Sequence, residues 1–524
     1  MGTFLNPGNS AFTAIRRDHY TDKTGLISLI NHTIDTPRRL TCVSRPRRFG
    51  KSFAAQMLCA YYDRSCDSAA LFDGLAAAAE DGFRVHLNRY DVIYVDMTYV
   101  KPYTDGYRDI VGYLCRKISD EIREAYPGLP QDGDFPELLL EAAEMSERRF
   151  IMIIDEWDAP IRENAAMQRT YLEFLRSLFK GSGTTSRIFA AVYMTGILPI
   201  KKDGSQSAIS DFEEFTMLRP GDFAPYVGFT EEEVRTLCAT SAVDFGRMKQ
   251  WYDGYSFRDV HSVYNPNSVM KAIRYREFAS YWTETAAAES LLEYIGKGYS
   301  GLSRTVAELI GGIAVPVSTE GFSNDLTTFK SRDDVLTLLI HLGYLAYDAE
   351  SGMARIPNEE IRREFSRSVR EVDNSETVRR LRESDRLFED TWNGNEEAVA
   401  GQIEKIHREE TSPLHYNREE SLRSVIKLAY YTYRDHYLQF EELPAGEGYA
   451  DIVYLPKKEA ACPALVIELK WNHAAEGAID QIRSRKYPAA LEGYGGEILL
   501  VGISYNKEAP AGQRKHHCRI ETWR

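Results

Sequence analysis

Through the first 200 residues, short apolar runs alternate with stretches of helical spacing. "RRLTCVS" (38–44), "DVIYVDMTYV" (91–100), "RRFIMIIDEWDAP" (148–160) and "RIFAAVYMTGILPI" (187–200) read as strands, the third a continuous apolar run ending in acids. "KSFAAQMLCAYYD" (51–63) and "YRDIVGYLCRKISDEIREAY" (107–126) read as helices, the second with Ile110, Leu114, Ile118 and Ile122 on one face. Strands alternating with helices predict an α/β layer around a largely parallel sheet. From about 229 to 300 the pattern turns helical and aromatic, and Thr230 with Glu233 is expected to form a capping box. Residues 333–365 read helix, hairpin, helix, which suits a small winged-helix-like unit, and charged helices fill 366–412. Beyond Pro413, the helix "YNREESLRSVIKLAYYTY" (416–433) carries Leu422, Val425, Ile426, Ala429 and Tyr433 on one stripe. Two strands, a helix and a final strand follow, with no internal repeat and no low-complexity linker.

Composition narrows the class. The 524 residues leave room for two to four domains, at roughly 150 residues each. Hydrophobic content of 43% and aromatic content of 12% support packed cores and exclude a disordered chain. Seven cysteines without a C-x-x-C pair indicate neither a disulfide framework nor a zinc ribbon. Reduced thiols in a cytoplasm are the expectation. The stretch "MGTFLNPGNSAFTAIRRD" lacks the apolar core of a signal peptide. No apolar run approaches the ~20 residues that span a bilayer, so no membrane partner is expected. The formal net charge of −14 argues against wholesale coating of nucleic acid and leaves room for a local basic groove.

Candidate chemistry begins in "CVSRPRRFGKSFAAQML" (42–58). Gly50, Lys51 and Ser52 close the pattern G-x-x-x-x-G-K-[ST], with Arg45 where the pattern opens on glycine. The segment lies between a strand and a helix, where backbone N–H groups and a helix N-terminus meet a phosphate. Lys51 would neutralise the β- and γ-phosphates of ATP, and Ser52 would hold Mg²⁺. In "FIMIIDEWD", Asp155 completes the metal shell and Glu156 is placed to polarise an attacking water. Thr195, ending "AAVYMT", would sense the γ-phosphate from the adjacent strand. A G-K-S triplet alone is an ordinary helix start more often than an ATP site; three strand-end signals in this order weigh against that. Arg45, Arg47 and Arg48 make a basic entry to the loop that Pro46 restrains. They contact phosphate or dock on a neighbouring acid, and the sequence leaves both open.

"YTDKTGLI" (20–27), "RPRRFGKS" (45–52), "IIDEWDAPI" (153–161), "TGILPI" (195–200), "WYDGYSF" (251–257) and "VYNPNSV" (263–269) resemble the AAA-ATPase-like family of bacterial proteins. The resemblance runs over roughly residues 5–285, and in that family arginines routinely precede "FGKS". It implies a P-loop ATPase core over 1–225, a helical lid over 226–300, and ATP with Mg²⁺ as ligands. It also sets Asp22, Lys23 and Thr24 at the border of the base. "SAISDFEEFTML" (207–218) departs from the Asn-containing form expected there, and no arginine finger is assigned. A helical, winged-helix-like middle region follows over 301–412.

A second constellation lies in "EELPAGEGYADIVYLPKKEAACPALVIELKW" (441–471). Asp451 opens one strand, and Glu468 and Lys470 end the next; a hairpin would set Asp451 beside Glu468. Residues two apart in a strand share a face, so Glu468 and Lys470 point the same way. Two carboxylates with the Leu469 carbonyl make a hard oxygen site for Mg²⁺ or Mn²⁺. Lys470 would orient water or stabilise charge on phosphorus, which is chemistry for phosphodiester hydrolysis. The alternative is a structural Asp–Lys–Glu cluster on a sheet. D-x(n)-E-x-K with its flanks, over about residues 413–510, resembles the PD-(D/E)XK nuclease superfamily and implies such a domain over 413–524. That resemblance makes Glu419, or alternatively Glu420, an additional metal-site acid and gives Gln481 the place of a glutamine seen in several branches. The basic groups "RSRK" (483–486) and "RKHHCR" (514–519) read equally as phosphate contacts or as a solvated helix face and a charged tail. The expectation is therefore α/β throughout: an ATPase core with a lid, a helical middle region, and a C-terminal restriction-endonuclease-like domain. Its partners would be ATP and nucleic acid, DNA first, with a homo-oligomer left open. The rival is a nucleotide-dependent switch whose nuclease-like domain binds without cleaving.

Overall fold

The computed structural model describes residues 2–200, 211–257, 260–282, 301–322, 331–371, 376–410, 419–432, 437–445, 448–457, 462–484, 496–510 and 513–523, with the short pieces 202–203, 206–207, 209, 299 and 329. The chain divides into two compact units, Met1–Ala288 with Pro316–Glu364, and Glu289–Val315 with Phe365–Arg524. Residues expected to form one middle region, 301–412, are thus shared between the two.

The first unit is built on five parallel strands, β1 (Leu40–Ser44), β2 (Asp91–Asp96), β3 (Phe150–Asp155), β4 (Phe189–Gly196) and β5 (Glu213–Phe215), in the order β2-β3-β4-β1-β5. Every residue of β1, β3 and β4 is buried. Such sheets are covered on both faces, so their strands read as unbroken apolar runs. Helix α1 (Lys51–Tyr62) packs against β3 and β4. Helices α2 (Ile110–Ala125) and α3 (Phe135–Ser146) bury Ile110, Leu114, Ile118, Ile122, Leu138 and Leu139 in one core with Phe150, Met152, Ile154, Val192 and Met194. The short α4 (Ala159–Glu163) and the amphipathic α5 (Gln168–Phe179) follow β3. The stretch 91–100, expected to be one strand, stops at Asp96. The Asp96 carboxylate accepts the N–H groups of Thr98 and Tyr99 and starts a helical turn over Met97–Val100.

The same unit continues through α6 (Glu231–Ser241), α7 (Phe245–Tyr252) and α8 (Pro266–Tyr275), which share a core of Val234, Cys238, Met248, Trp251, Tyr252, Val269 and Ala272. Thr230 and Glu233 form the expected capping box. Helix α9 (Arg332–Leu342), antiparallel strands Ala346–Asp348 and Met353–Arg355, and helix α10 (Glu359–Glu371) reproduce the expected helix–hairpin–helix order.

The second unit carries α11 (Glu376–Trp392), α12 (Glu396–Glu410) and α13 (Glu419–Ala429), then a five-stranded sheet. Its strands are β6 (Tyr437–Ala445), β7 (Gly448–Pro456), β8 (Ala464–Trp471), β9 (Ile498–Tyr505) and β10 (His516–Trp523), in sequence order across the sheet. Neighbours are antiparallel except β8 and β9, which run parallel and have α14 (Ala475–Ser484) between them in the chain. One face packs Ile452, Leu465, Ile467 and Val501 on Leu387, Phe388, Val399, Ile403, Val425 and Ile426; the other packs Val453, Val466 and Leu500 on Ile479 and Ile482 of α14. The stripe Leu422, Val425, Ile426 and Ala429 is buried as expected, while Tyr433 lies outside the described residues. The sequence pattern indicated neither edge strand. β6 leaves Leu438 and Phe440 exposed. The basic stretch 514–519, read equally as phosphate contacts or a charged tail, enters β10 at His516, where a buried hydrogen bond of 2.7 Å joins His516 Nε2 and His407 Nδ1 on α12. Burial and the neighbouring His407 push His516 down to about 3. Among the described residues no helix is long and apolar enough to cross a membrane.

Candidate functional site

The carboxyl edge of the first sheet gathers the nucleotide candidates. Strand β4 lies between β1 and β3, with Val43 paired to Thr195 and Ile154 to Met194. Thr195 therefore stands beside Asp155, its hydroxyl donating to Asp155 Oδ1. Ser52, in the first turn of α1, also hydrogen-bonds the Asp155 carboxylate. Gly50 takes φ +89°, which a side chain would strain, with open space where a Cβ would be. Lys51, 3% exposed, donates to Pro46 O at 3.0 Å and pairs with Glu156 Oε1 at 3.3 Å. Burial pushes Asp155 up to about 6, against the lowering effect of its hydrogen bonds to Ser52 and Thr195. Two hard oxygens meeting at a helix N-terminus, beside a buried lysine, fit a Mg²⁺–nucleotide group.

Glu156 sits at φ +52°, a strained conformation of the kind stored at functional sites. Its Oε2 accepts from Arg162 Nη2 at 2.9 Å, and Arg162 Nε donates to Asp158 Oδ2 at 2.8 Å. Burial alone would raise Glu156; Lys51 and Arg162 outweigh it and hold the carboxyl below its ordinary range. Asp158, 1% exposed, also accepts the N–H groups of Ile197 at 3.2 Å and Leu198 at 2.9 Å. Sequence reasoning passed over Asp158 and Arg162. Their signal was the i,i+4 acid–arginine pair just after the acidic strand end.

The loop arginines part company. Arg45 is fully buried; its Nη1 donates to Ser44 O at 2.9 Å and Phe215 O at 3.2 Å, and its guanidinium lies 5.3 Å from the Phe257 ring centroid. Burial lowers it to about 10. Its backbone N–H donates to Gly196 O at 2.9 Å, so the position where the loop pattern opens on glycine extends the sheet instead. This placement does not fit a phosphate contact. Arg48, at φ +67°, donates to Tyr281 O at 3.2 Å. Arg47 lies within the field of Arg162, Glu156, Glu163 and Asp158 and is lowered first by burial, then by Arg162. The rest of the loop meets the helical segments. Arg47 O faces Asn265 Nδ2 at 3.5 Å, Phe49 packs edge-on against Tyr255, and a Cβ at Gly343 would lie 2.7 Å from Pro46 Cγ. Asp22, Lys23 and Thr24 are engaged structurally: Lys23 Nζ lies 2.6 Å from both Glu233 carboxylate oxygens, and Asp22 accepts from Thr24 and Ala76.

In the second unit the pairing of Ile452 with Ile467 puts Asp451 and Glu468 side by side, one step beyond the registered pairs. Asp451 Oδ2 accepts the Leu469 N–H at 2.9 Å, so the Leu469 contact observed is its N–H. Lys470 Nζ lies 3.3 Å from Glu468 Oε1, and Gln481 bridges the two, donating to Glu468 and accepting from Lys470. Gly502 makes this possible. From β9 it pairs with Glu468 on β8, and a Cβ there would lie 2.5 Å from Ala475 O, so only glycine lets α14 approach with Gln481. Glu468 is 3% exposed, and burial followed by the nearby Asp451 charge pushes it up to about 7. Glu468 Oε2 is buried without a hydrogen-bond partner among the described residues. An orphaned carboxylate oxygen beside a second carboxylate fits a hard divalent cation. Arg423 Nη2 of α13 reaches Asp451 Oδ1 at 2.6 Å and was not foreseen. The side chains of Glu419 and Glu420 lie outside the described residues, and among the described residues no three His, Cys, Asp or Glu side chains form a metal-holding group.

Residues 7–205 match the model of a family described as Predicted AAA-ATPase. The matched span contains the loop, Asp155, Glu156 and Thr195. An uncharacterized protein in the vnfD 5' region of Azotobacter chroococcum mcd 1 is 24% identical over 305 residues, which cover 55% of this chain and 55% of that protein. The chain thus spans about half the length of the curated relative it matches. Similar solved structures include the Aeropyrum pernix ORC2 protein in ADPNP–ADP complexes, at 12% identity and a TM-score of 0.31, covering 68% of this chain and 97% of that one. Caenorhabditis elegans PCH-2 follows at 11% identity and a TM-score of 0.21, covering 63% and 65%. Scores this low carry no argument about function.

Proposed function

We propose that the first unit binds and hydrolyses ATP and that the second is a metal-dependent nuclease acting on nucleic acid, DNA first, under control of the nucleotide. The observation that carries the nuclease reading is the set Asp451, Glu468, Lys470 and Gln481, drawn from two paired strands and one helix onto a single spot. Asp451 and Glu468 would hold Mg²⁺ or Mn²⁺, which when bound supplies Lewis-acid polarisation of a phosphoryl oxygen and of water. Gln481 fixes the Lys470 ammonium beside Glu468, where it can donate to a phosphate oxygen as charge develops. In the first unit, Lys51 and Ser52 would bind phosphates and Mg²⁺, with Glu156 as base for water. The family match over residues 7–205 supports the ATPase half. The lid expected over 226–300 from the resemblance is supported, as far as Tyr281, by the loop's contacts with Tyr255, Asn265 and Tyr281.

A second reading is a nucleotide-dependent switch whose nuclease-like unit binds nucleic acid or a protein without cutting. The Arg423 guanidinium on Asp451 favours it, since a cation already sits on one carboxylate. Purified protein is incubated with plasmid, single-stranded DNA and RNA, with and without ATP and Mn²⁺, beside Asp451→Ala and Lys470→Ala. Cleavage by the parent and loss in both variants supports the nuclease; equal cleavage by all three makes the cluster structural. Binding without cleavage under every condition favours the switch.

A further inference from the structure

Three acids and three cations crowd the end of β3: Asp155, Glu156 and Asp158 with Lys51, Arg47 and Arg162. Lys51 and Ser52 belong to the loop, and Asp155 and Glu156 to the acid pair. Arg162 and Asp158 have no part in that scheme, yet Asp158 is buried, the Arg162 side chain is only 11% exposed, and both are bonded to it.

We infer that Arg162 is the positioning residue of the Glu156 base; the inference rests on reading this unit as an ATPase. The bonds form one line. Glu156 Oε2 accepts from Arg162 Nη2, Arg162 Nε donates to Asp158 Oδ2, and Asp158 accepts the N–H groups of Ile197 and Leu198. Those two residues follow Thr195 and Gly196 directly, so the line ends where the γ-phosphate sensor strand ends. Arg162 on α4 is held by its i,i+4 partner Asp158, which precedes the helix, and a Cβ at Gly196 would lie 2.7 Å from Asp158 Oδ1. Arg162 therefore has a rigid seat.

Glu156 shares its other oxygen with Lys51 at 3.3 Å. Phosphates that draw the Lys51 ammonium to themselves take that cation from Glu156. Oε2 stays bonded to Arg162, and Oε1 becomes free to accept a proton from water. A base held by one oxygen with the other presented is the geometry general-base catalysis requires. Without Arg162, the carboxylate on its φ +52° backbone would be free to stay on Lys51 or turn to solvent.

The test compares the full-length parent with Arg162→Ala, Arg162→Lys, Glu156→Gln and the double Arg162→Ala/Glu156→Gln. ATP affinity is measured by titration with a fluorescent ATP analogue, and kcat and KM by phosphate release. Arg162→Ala should lower kcat about 30- to 300-fold, within the range for a positioned base, with affinity held within about threefold. Arg162→Lys should recover at least about a tenth of the parent kcat, because an ammonium can still hold one oxygen. The double variant should be within about threefold of Glu156→Gln alone, since residues acting as a unit are not additive. Losses that multiply in the double variant, unchanged kcat in Arg162→Ala, or an affinity loss as large as the kcat loss would each overturn the inference. Should Arg162→Ala unfold early in a melting scan, Arg162→Lys and Arg162→Gln carry the same comparison. A parent that neither binds nor hydrolyses ATP overturns the ATPase reading itself, and the inference with it. An active parent insensitive at Arg162 overturns the inference alone.

Discussion

Glu360 gives a prediction with a definite size. It is 1% exposed on α10, and its Oε1 accepts from Ser268 Oγ at 2.9 Å and from the Tyr281 N–H at 2.8 Å. Burial dominates over these bonds, and the nearby Glu364 adds to it, pushing the carboxyl from its ordinary 4.5 up to about 7. Between those two values the folded protein keeps a proton that the unfolded chain releases. Stability therefore falls as pH rises from about 4.5 to about 7 and is flat above that. The full effect is about 3 kcal/mol, taking 1.36 kcal/mol per pKa unit. Glu360→Gln keeps an oxygen for both donors to Oε1 and never ionises. Urea unfolding of parent and variant, followed by tryptophan fluorescence at pH 5, 6, 7 and 8, makes the other titrating groups cancel in the difference. The variant should gain roughly 2–3 kcal/mol on the parent between pH 5 and pH 8, most of it below pH 7. A difference that stays constant across that range would refute the argument, whatever its sign.

Lys51→Ala should abolish ATP binding, while Glu156→Gln should bind ATP and lose turnover; nucleotide titration and phosphate release check both. In calorimetric Mn²⁺ titrations, Asp451→Ala should weaken binding and Lys470→Ala should leave it near the parent, because only the first removes a carboxylate. Equal weakening in both would remove Lys470 from its assigned role. Gly343→Ala should cost roughly 2–4 kcal/mol, from the left-handed backbone and from overpacking on Pro46. Gly352→Ala, also at positive φ but with open space around it, should cost only the backbone share, about 1–2 kcal/mol, so thermal melts of the pair isolate the contact with the loop. Arg48→Ala should loosen the Tyr281 segment, read as faster hydrogen exchange over 276–282, and weaken ATP affinity through that packing alone; weakened affinity with unchanged exchange would instead make Arg48 a phosphate contact.

The parallel sheet was legible because β1, β3 and β4 are buried throughout and, Thr41 apart, carry apolar side chains up to their carboxyl ends. The order in which the strands lie was not, since it depends on crossovers that periodicity does not record. Asp451, Glu468 and Lys470 were legible as neighbours because a hairpin register and a two-residue strand period fix them. Arg423 was not, because a helix-borne arginine 28 residues upstream reads as one of many solvated charges. The edge strands were missed for a related reason: β6 and β10 mix charged and aromatic residues, with one buried histidine settled by a partner 109 positions away. Arg45 was read with the other loop arginines as a phosphate contact or a partner for a neighbouring acid; its backbone continues β1, and that turns its side chain inward.

The arginine-rich loop has a thermodynamic consequence. Pro46, Arg47, Arg48 and Phe49 each meet a residue of the helical segments, one of them 233 positions further along the chain. A loop shaped by such packing cannot be filled or emptied independently of it. If intact helical packing favours ATP by some factor, ATP must favour intact packing by that same factor. Saturating nucleotide should then raise protection from exchange at Tyr281 and Gly343 as well as at Gly50. A substitution that loosens either distant residue should register as lost ATP affinity, even though neither is part of the phosphate cradle.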